Sequence, residues 1–162
     1  MSDPAHRIAG IGDLITPKSV IPALRAANKK QALQELARRA ATMIGVPERT
    51  IYDVLTERER LGTTGIGMGI GIPHGKLVGL NALYGIFARL ERPIPFEAID
   101  DQPVDLIFLL LAPENAGADH LKALALVSRL LRDRDVCEKL RGTDNPDALY
   151  ALLTDRSASA PA

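Results

Sequence analysis

The sequence predicts an α/β fold in which a mixed central β-sheet is flanked by helices on both sides, within a single domain. At 162 residues the chain can form one domain that buries about two-thirds of the surface of its unfolded form. Segments with helical periodicity alternate with extended apolar segments, which is typical of α/β proteins. One extended segment, residues 104–112, is apolar almost throughout, as expected for a central strand that helices cover on both faces.

The ends of the chain are predicted to lie outside the folded domain. We expect residues 1–10 to form a flexible lead-in, residues 11–155 the domain, and residues 156–162 a disordered tail rich in Ser and Ala. A short turn opens the domain. A brief strand follows at residues 19–21, and Pro22 is expected to stop it because proline cannot donate to a sheet ladder.

Two helices are predicted to follow in succession. Asn28 and Gln31 form a capping pair for the first, whose apolar residues recur at helical spacing until Gly45 closes it. The second is expected from about residue 47 to residue 61, and Gly62 ends it.

The next segments are predicted to form the interior of the sheet. Residues 82–90 are apolar on both faces, which indicates an interior strand. Residues 93–102 form a proline- and acid-rich crossing with Phe96 as its anchor. The carboxylates of this crossing have no periodic element to fix them, so we interpret them as solvated loop charges and not as an acid/base pair.

Three helices are predicted in the last third of the chain. The first spans residues 118–132 and is expected to bury Leu121 and Ala125 among others. A short helix spans residues 135–141. The last begins at the Asn145-Pro146 pair, in which a capping residue precedes a proline at the first helical position.

Composition limits the partners that the protein can have. Basic and acidic residues balance at 20 each and aromatic residues are scarce, so nothing indicates nucleic acid binding. No apolar run is long enough to cross a bilayer and the first residues lack a signal-peptide core, so we expect no membrane insertion. The single Cys137 excludes an internal disulfide and is typical of a reducing compartment. We therefore expect a soluble, cytoplasmic protein.

The most informative stretch is residues 65–76, GIGMGIGIPHGK. Glycines alternate with Ile or Met, which predicts a short half-buried strand with isoleucines on one face. Glycine on the other face lets a backbone or a ligand approach closely. Pro73 ends this strand and Gly75 permits a turn, so we expect His74 on a loop whose shape is fixed from both sides.

Three common site types do not fit this stretch. The glycines keep a spacing of two and so cannot supply the G-x-G-x-x-G of a dinucleotide site. A Walker loop needs a glycine at position 70 and Ser or Thr at position 77, where the chain has Ile70 and Leu77. The H-E-x-x-H of zinc proteases is absent, since no second histidine lies near His74. Nothing in the sequence indicates a metal or a cofactor.

The stretch resembles a known phosphorylation site. Residues 64–67 and 71–76 are similar to the site of the IIA proteins of the bacterial phosphoenolpyruvate-dependent phosphotransferase system (PTS), of the fructose/mannitol type. The nitrogen-regulatory branch is the most similar, and the resemblance covers about residues 11–155. Gly71 departs from many relatives, which carry a small non-glycine residue there. The further matching motifs are Leu55-Thr56, Arg58-Glu59-Arg60, Phe96-Glu97-Ala98-Ile99-Asp100, Gln102-Pro103-Val104-Asp105-Leu106 and His120-Leu121.

The resemblance implies a phosphoryl carrier with the same layered fold. His74 would be the acceptor, phosphorylated at Nε2, and the donor would be the phosphohistidine of a small phosphocarrier protein. The resemblance places Arg58 in the phosphoryl pocket, although the residues alone favour a solvated cation at a helix end. Arg60 is assigned to the surface. His120 is either a surface residue or a neighbour of His74 that donates a hydrogen bond to a phosphoryl oxygen or helps to orient His74.

Similarity to the nitrogen-regulatory branch implies a regulator. Its phosphorylation state would signal to downstream target proteins, in regulation of the nitrogen or potassium type. Two alternatives stay open. The chain could be a sugar-transport IIA that passes phosphate to a separate IIB, or a non-catalytic regulatory module that binds an anion at its glycine loop.

Overall fold

Six strands form one mixed β-sheet in the computed structural model, which describes residues 8–155. The strands are β1 (Val20–Leu24), β2 (Gly65–Gly67), β3 (Ile70–Gly71), β4 (His74–Leu77), β5 (Tyr84–Ile94) and β6 (Val104–Pro113). Their order is β1-β5-β6-β3-β2, and β4 also pairs with β6. The β1–β5, β3–β6 and β4–β6 pairs are parallel, whereas β5–β6 and β2–β3 are antiparallel. The predicted mixed α/β sheet is confirmed.

Helices cover both faces of this sheet. They are α1 (Lys29–Ile44), α2 (Glu48–Leu61), α3 (Ala118–Arg132), α4 (Arg134–Arg141) and α5 (Pro146–Thr154), with short 3-10 turns at Ile11–Asp13 and Pro17–Ser19. Alternate residues of β6 enter two separate cores. Leu106, Phe108 and Leu110 pack with α3, α4 and α5, whereas Ile107 and Leu109 pack with α1 and α2. The predicted central strand is therefore apolar on both sides because helices cover both sides.

The predicted helix boundaries agree closely with the structure. The Asn28 side chain accepts a hydrogen bond from the backbone N–H of Gln31, and Gly45 ends α1 in the left-handed region at φ 72°. Helix α3 has the predicted bounds. The first strand differs, because Pro22 lies inside β1 and does not stop it. Since β1 is an edge strand that pairs only with β5, it tolerates a residue without an N–H.

Helix α3 buries a different face from the one predicted. Leu121 is 68% exposed and Ala125 is also exposed, so the expectation that they are buried is wrong. The helix is apolar on more than one face, and periodicity alone does not show which face meets the sheet. The residues that it buries are His120, Ala123, Val127, Leu130 and Leu131.

The glycine-rich stretch forms a tight hairpin and not the predicted single strand. β2 runs antiparallel to β3, with Gly65 opposite Gly71. The chain reverses at Met68 and Gly69, which have φ of 58° and 82°. Asp100 supports the turn by accepting a hydrogen bond from the Met68 N–H at 2.9 Å. Alternating glycines suit a strand and a hairpin equally well, and the turn is held by residues distant in sequence, since Arg141 Nη2 also donates to the Met68 carbonyl at 2.9 Å.

His74 begins a new strand and does not lie on a loop as predicted. Pro73 interrupts the chain after β3, and β4 then continues along the same edge of β6, with His74 opposite Leu110. The predicted turn at Gly75 is also wrong, since Gly75 lies within β4. A Cβ added to Gly75 would lie 2.4 Å from Val54 Cγ1, so this glycine lets α2 approach the strand.

The predicted lead-in and tail lie outside the described residues, apart from residues 8–10. Ile8, at the start of the described chain, is buried in the core beside α3, α4 and α5. Within residues 8–155, no helix is both long enough and apolar enough to cross a bilayer.

We expect Gly75→Ala to lower the free energy of unfolding by about 1–3 kcal/mol, because the new methyl group overpacks against Val54. The stiff χ1 of valine in a helix leaves Val54 little room to move away. In a Val54→Ala background the same substitution should cost almost nothing. Urea denaturation of the four proteins measures both values.

Gly12→Ala is the matched control, since its added Cβ would meet only Thr154 Cγ2, at 3.9 Å. It should change stability by less than about 1 kcal/mol. An equal cost for Gly75→Ala in both backgrounds would show that contact with Val54 is not the constraint.

Candidate active site

The backbone on both sides of His74 is fixed by β6. The Pro73 carbonyl accepts a hydrogen bond from the Leu110 N–H at 3.0 Å, and Gly75 pairs with Leu111. The His74 ring is half-buried where β4 begins. A side chain on a sheet strand is held more rigidly than one on a loop, so the ring presents a fixed edge to its surroundings.

Two hydrogen bonds define the protonation of the His74 ring. Nδ1 lies 2.8 Å from the carbonyl oxygen of Ile72, which can only accept, so the proton of the neutral ring is on Nδ1. Nε2 then carries the lone pair, and it accepts a hydrogen bond from Arg58 Nε at 3.3 Å. The imidazole is therefore arranged as a nucleophile at Nε2.

Arg58 connects the end of α2 to this imidazole. Its Nη1 donates to the Gly62 carbonyl oxygen at 2.8 Å, which holds the guanidinium at the helix end. Within residues 8–155, Nη2 makes no hydrogen bond and can therefore bind an incoming oxygen. Arg60, two residues on, is exposed and pairs with Glu57 at 2.9 Å, as predicted for a surface residue.

His120 lies beside His74. It occupies the first turn of α3 and is only 7% exposed. The two ring centroids are 5.7 Å apart, with the ring planes inclined at 51°. His120 Nδ1 is buried and has no hydrogen-bond partner among the described residues. Three residues singled out from the sequence, His74, Arg58 and His120, thus meet at one place, and His120 is not a surface residue.

Burial lowers the pKa of both histidines. For His74 the loss of solvation is the largest cause and the Arg58 cation adds to it, while the hydrogen bond to Ile72 and the Glu59 carboxylate raise the pKa. For His120 burial is again the largest cause, and His74 and Lys76 lower the pKa further. Both rings are therefore neutral at pH 7, which keeps the Nε2 lone pair of His74 available.

Sequence reasoning missed Glu59, whose carboxylate is almost fully buried next to the site. It accepts hydrogen bonds from the Thr64 backbone N–H at 3.1 Å and from the Thr64 hydroxyl. It also pairs with Lys29 Nζ at 2.9 Å, and the two side chains are 6% and 16% exposed. A signal was present, because Glu59 continues the buried stripe of Ile51 and Leu55 at a spacing of four.

The acidic crossing after β5 has a local structural role. Glu97, Asp100 and Asp101 are all exposed, as expected for solvated loop charges. Asp100 accepts from the Met68 and Gln102 backbone N–H groups, and these bonds lower its pKa. Among residues 8–155, no group of three His, Cys, Asp or Glu side chains is placed to hold a metal ion.

The sequence matches one protein family along nearly all of its length. The model of the family "Phosphoenolpyruvate-dependent sugar phosphotransferase system, EIIA 2" matches residues 13–156. The chain belongs to this family. Its membership confirms the resemblance inferred from the glycine-rich stretch and makes the chain a protein of the general phosphotransferase kind.

The relatives of the chain include a nitrogen regulatory protein and a sugar-specific EIIA component. The chain is 57% identical over 150 residues to the nitrogen regulatory protein of Bradyrhizobium diazoefficiens, which covers 93% of this chain and 98% of that relative. It is 38% identical over 130 residues to the fructose-specific EIIA component of the PTS in Haloferax volcanii, covering 80% of this chain and 84% of that relative.

A crystal structure of a nitrogen regulatory protein has the same fold. The nitrogen regulatory protein IIA-Ntr from Neisseria meningitidis superposes with a TM-score of 0.84 at 31% sequence identity. The match covers 89% of this chain and 99% of that one. The fold and the nitrogen-regulatory likeness predicted from the sequence are therefore confirmed.

The lowered pKa values give a testable pH dependence. His74 and His120 should both titrate below the ordinary histidine pKa of about 6.5, because burial disfavours their charged forms. Below that pH the unfolded chain binds protons that the folded protein does not. The free energy of unfolding should therefore decrease as the pH is lowered through about 6.5, and it should level off below the folded-state pKa values.

Imidazole titration by NMR, together with urea denaturation at several pH values, measures both effects. A ring that titrates above 6.5 would mean that its burial does not control its charge.

Proposed function

We propose that the protein is a phosphoryl carrier that accepts a phosphoryl group on Nε2 of His74 from the phosphohistidine of a phosphocarrier protein. The observation that carries the proposal is the position of the His74 ring between Ile72 and Arg58. The Ile72 carbonyl fixes the proton on Nδ1 at 2.8 Å, and Arg58 points its guanidinium at the bare Nε2. Membership of a phosphotransferase family supports the reaction type.

The transfer follows from this arrangement. The Nε2 lone pair attacks the phosphorus of the donor's phosphohistidine, and a new N–P bond forms as the donor's N–P bond breaks. The electron pair of the broken bond returns to the donor's ring nitrogen. His74 loses no proton in this step, since Nε2 carries none, and the positive charge that its ring gains is stabilised by the Nδ1–H bond to Ile72.

Arg58 and His120 are proposed to stabilise the moving phosphoryl group. Its negative charge spreads over three oxygens, so most of the catalysis must come from fixed donors around them. Arg58 can donate a hydrogen bond to a phosphoryl oxygen from its Nη2. Once the phosphoryl group occupies Nε2 of His74, the Nε of Arg58 is released from that nitrogen and can donate together with Nη2. His120 can donate one hydrogen bond as a neutral ring.

Exposed apolar side chains support a protein as the donor. Leu61, Val78 and Leu121 are 85%, 77% and 68% exposed. Each lies close in sequence to a site residue: Leu61 follows Arg58 on α2, Val78 follows β4, and Leu121 follows His120. We propose that these three side chains form part of the surface on which the donor protein docks.

The downstream role is proposed to be regulatory. Phosphorylation adds about two negative charges to a chain with no net charge, which is enough to change the partner that binds this face. The similarity to nitrogen regulatory proteins supports signalling to target proteins. The 38% identity to a fructose-specific EIIA component favours the alternative, transfer to a separate IIB. Onward loss of label to an isolated fructose-type IIB would favour transport, and retention of the label would favour regulation.

We expect His74→Ala to accept no label from the phosphorylated carrier. The purified protein is incubated with phosphoenolpyruvate, the first enzyme of the relay and its phosphocarrier, and the label is located by mass spectrometry. His120→Ala should still be labelled, though more slowly, because its ring only supports the transfer. The wild-type adduct should survive denaturation and base but not acid, as a phosphoramidate does.

Label that persists in folded His74→Ala would refute the assignment of the acceptor. Label that exchanges freely and is lost on denaturation would instead support the anion-binding module.

Arg58→Lys should slow phosphoryl transfer by about two orders of magnitude, since loss of a charged multi-donor contact costs about 3 kcal/mol. Arg60→Lys is the matched control on the same helix turn, because Arg60 is exposed and, among residues 8–155, its ion pair is with Glu57 alone. Quenched-flow labelling measures both rates. Equally small effects in the two variants would remove Arg58 from the site.

A further inference from the structure

We propose that Glu59 is a positioning residue of this site, whose buried carboxylate holds the segment that sets the orientation and the tautomer of His74. Glu59 does not contact the reacting nitrogen. Its effect on His74 geometry is independent of the reaction, whereas its effect on transfer rate rests on the function proposed above.

A continuous set of hydrogen bonds joins Glu59 to the His74 ring. The Glu59 carboxylate accepts from the backbone N–H and the hydroxyl of Thr64. The Thr64 carbonyl accepts from the Ile72 N–H at 2.9 Å. The Ile72 carbonyl in turn accepts from His74 Nδ1 at 2.8 Å. The carboxylate therefore fixes one end of the segment that positions the Ile72 carbonyl.

Glu59 holds the Thr64 end of this segment, whereas β6 and Asp100 hold its middle. β2 has three residues and β3 has two, and their ladder is short. Glycine occupies four of the seven positions from residue 65 to residue 71. Each glycine raises the conformational entropy that the backbone loses on folding. A small displacement of Ile72 would release Nδ1–H and allow the ring to rotate or change tautomer.

Lys29 makes this anchor possible. A buried carboxylate must be paired to remain charged, and Lys29 Nζ lies 2.9 Å from Glu59 with both side chains largely buried. Lys29 Nζ also lies over the Phe96 ring, 5.0 Å from its centre, and this cation–π contact helps to keep Lys29 beside Glu59. Its second acidic neighbour, Glu97, is 3.5 Å away and 85% exposed, so it makes only a weak solvated contact.

The decisive comparison removes the acceptor without leaving a buried unpaired cation. Glu59→Gln with Lys29→Met keeps a carbonyl oxygen for Thr64, whereas Glu59→Ala with Lys29→Met does not. The two proteins differ in that acceptor and carry no unpaired Lys29. Glu57→Ala, at an exposed position of α2, is the surface control.

Two readouts separate positioning from simple stability. The ¹⁵N shifts of the His74 imidazole report its tautomer in folded, unphosphorylated protein, and steady-state transfer gives kcat and KM. In the Glu59→Gln, Lys29→Met protein (Gln/Met) we expect the Nδ1–H tautomer of His74 and a transfer rate within a few-fold of wild type. In the Glu59→Ala, Lys29→Met protein (Ala/Met) we expect mixed tautomers of His74 and a kcat about tenfold lower than that of wild type. KM should change little, because a misplaced nucleophile affects the chemical step.

A folded Ala/Met protein with the wild-type tautomer and rate would overturn the proposal. If that protein does not fold, Thr64→Val tests the same link, since it removes only the hydroxyl bond to Glu59. It should still shift the tautomer balance, and an unchanged spectrum would equally overturn the proposal. If wild type takes no label while the tautomer shift occurs, the carrier function is wrong and the positioning role of Glu59 stands.

Discussion

The hydrogen bond from His74 Nδ1 to the Ile72 carbonyl is the interaction on which the rest of the site depends. These groups are two residues apart in sequence and lie 2.8 Å apart, on either side of Pro73, between the end of β3 and the start of β4. The bond decides which ring nitrogen carries the lone pair. Without it, the tautomer of the imidazole that faces Arg58 would be undefined. Neither the burial that keeps the ring neutral nor the nearby His120 would then fix the lone pair on Nε2.

The fold brings the partners of that bond together through β6. This strand, buried on both faces, holds β3 and β4 along one edge, so the two short segments around Pro73 are placed by the most rigid part of the sheet. Helix α2 approaches β4 closely because Gly75 has no Cβ to meet Val54. Because α2 lies close to β4, its residue Arg58 reaches Nε2 of His74. Helix α3, which follows β6, places His120 beside the same ring. The site is thus assembled from segments far apart in sequence.

Much of this could be predicted from sequence, and the failures have physical causes. Apolar continuity identified β6, and capping residues identified the helix ends, because both signals are local. The local pattern around Pro73 and Gly75 singled out His74, whereas Arg58 came from motif resemblance and the position of His120 stayed open, since nothing local shows that α3 begins beside β4. The hairpin was missed because its turn depends on Asp100, which is distant in sequence. The buried Glu59 was missed because it lies in a charged cluster that resembles a solvated helix end, although its spacing from Leu55 placed it on the buried stripe.

The ring nitrogen that carries the phosphoryl group shows whether the Ile72 carbonyl directs the reaction to Nε2. The protein is labelled with ¹⁵N-histidine, phosphorylated through the phosphocarrier, and examined by NMR for coupling between ³¹P and the imidazole nitrogens. We expect phosphorus bonded to Nε2 of His74, because the Ile72 carbonyl accepts the Nδ1 hydrogen bond. Phosphorus bonded to Nδ1 of His74, or to a nitrogen of His120, would contradict it.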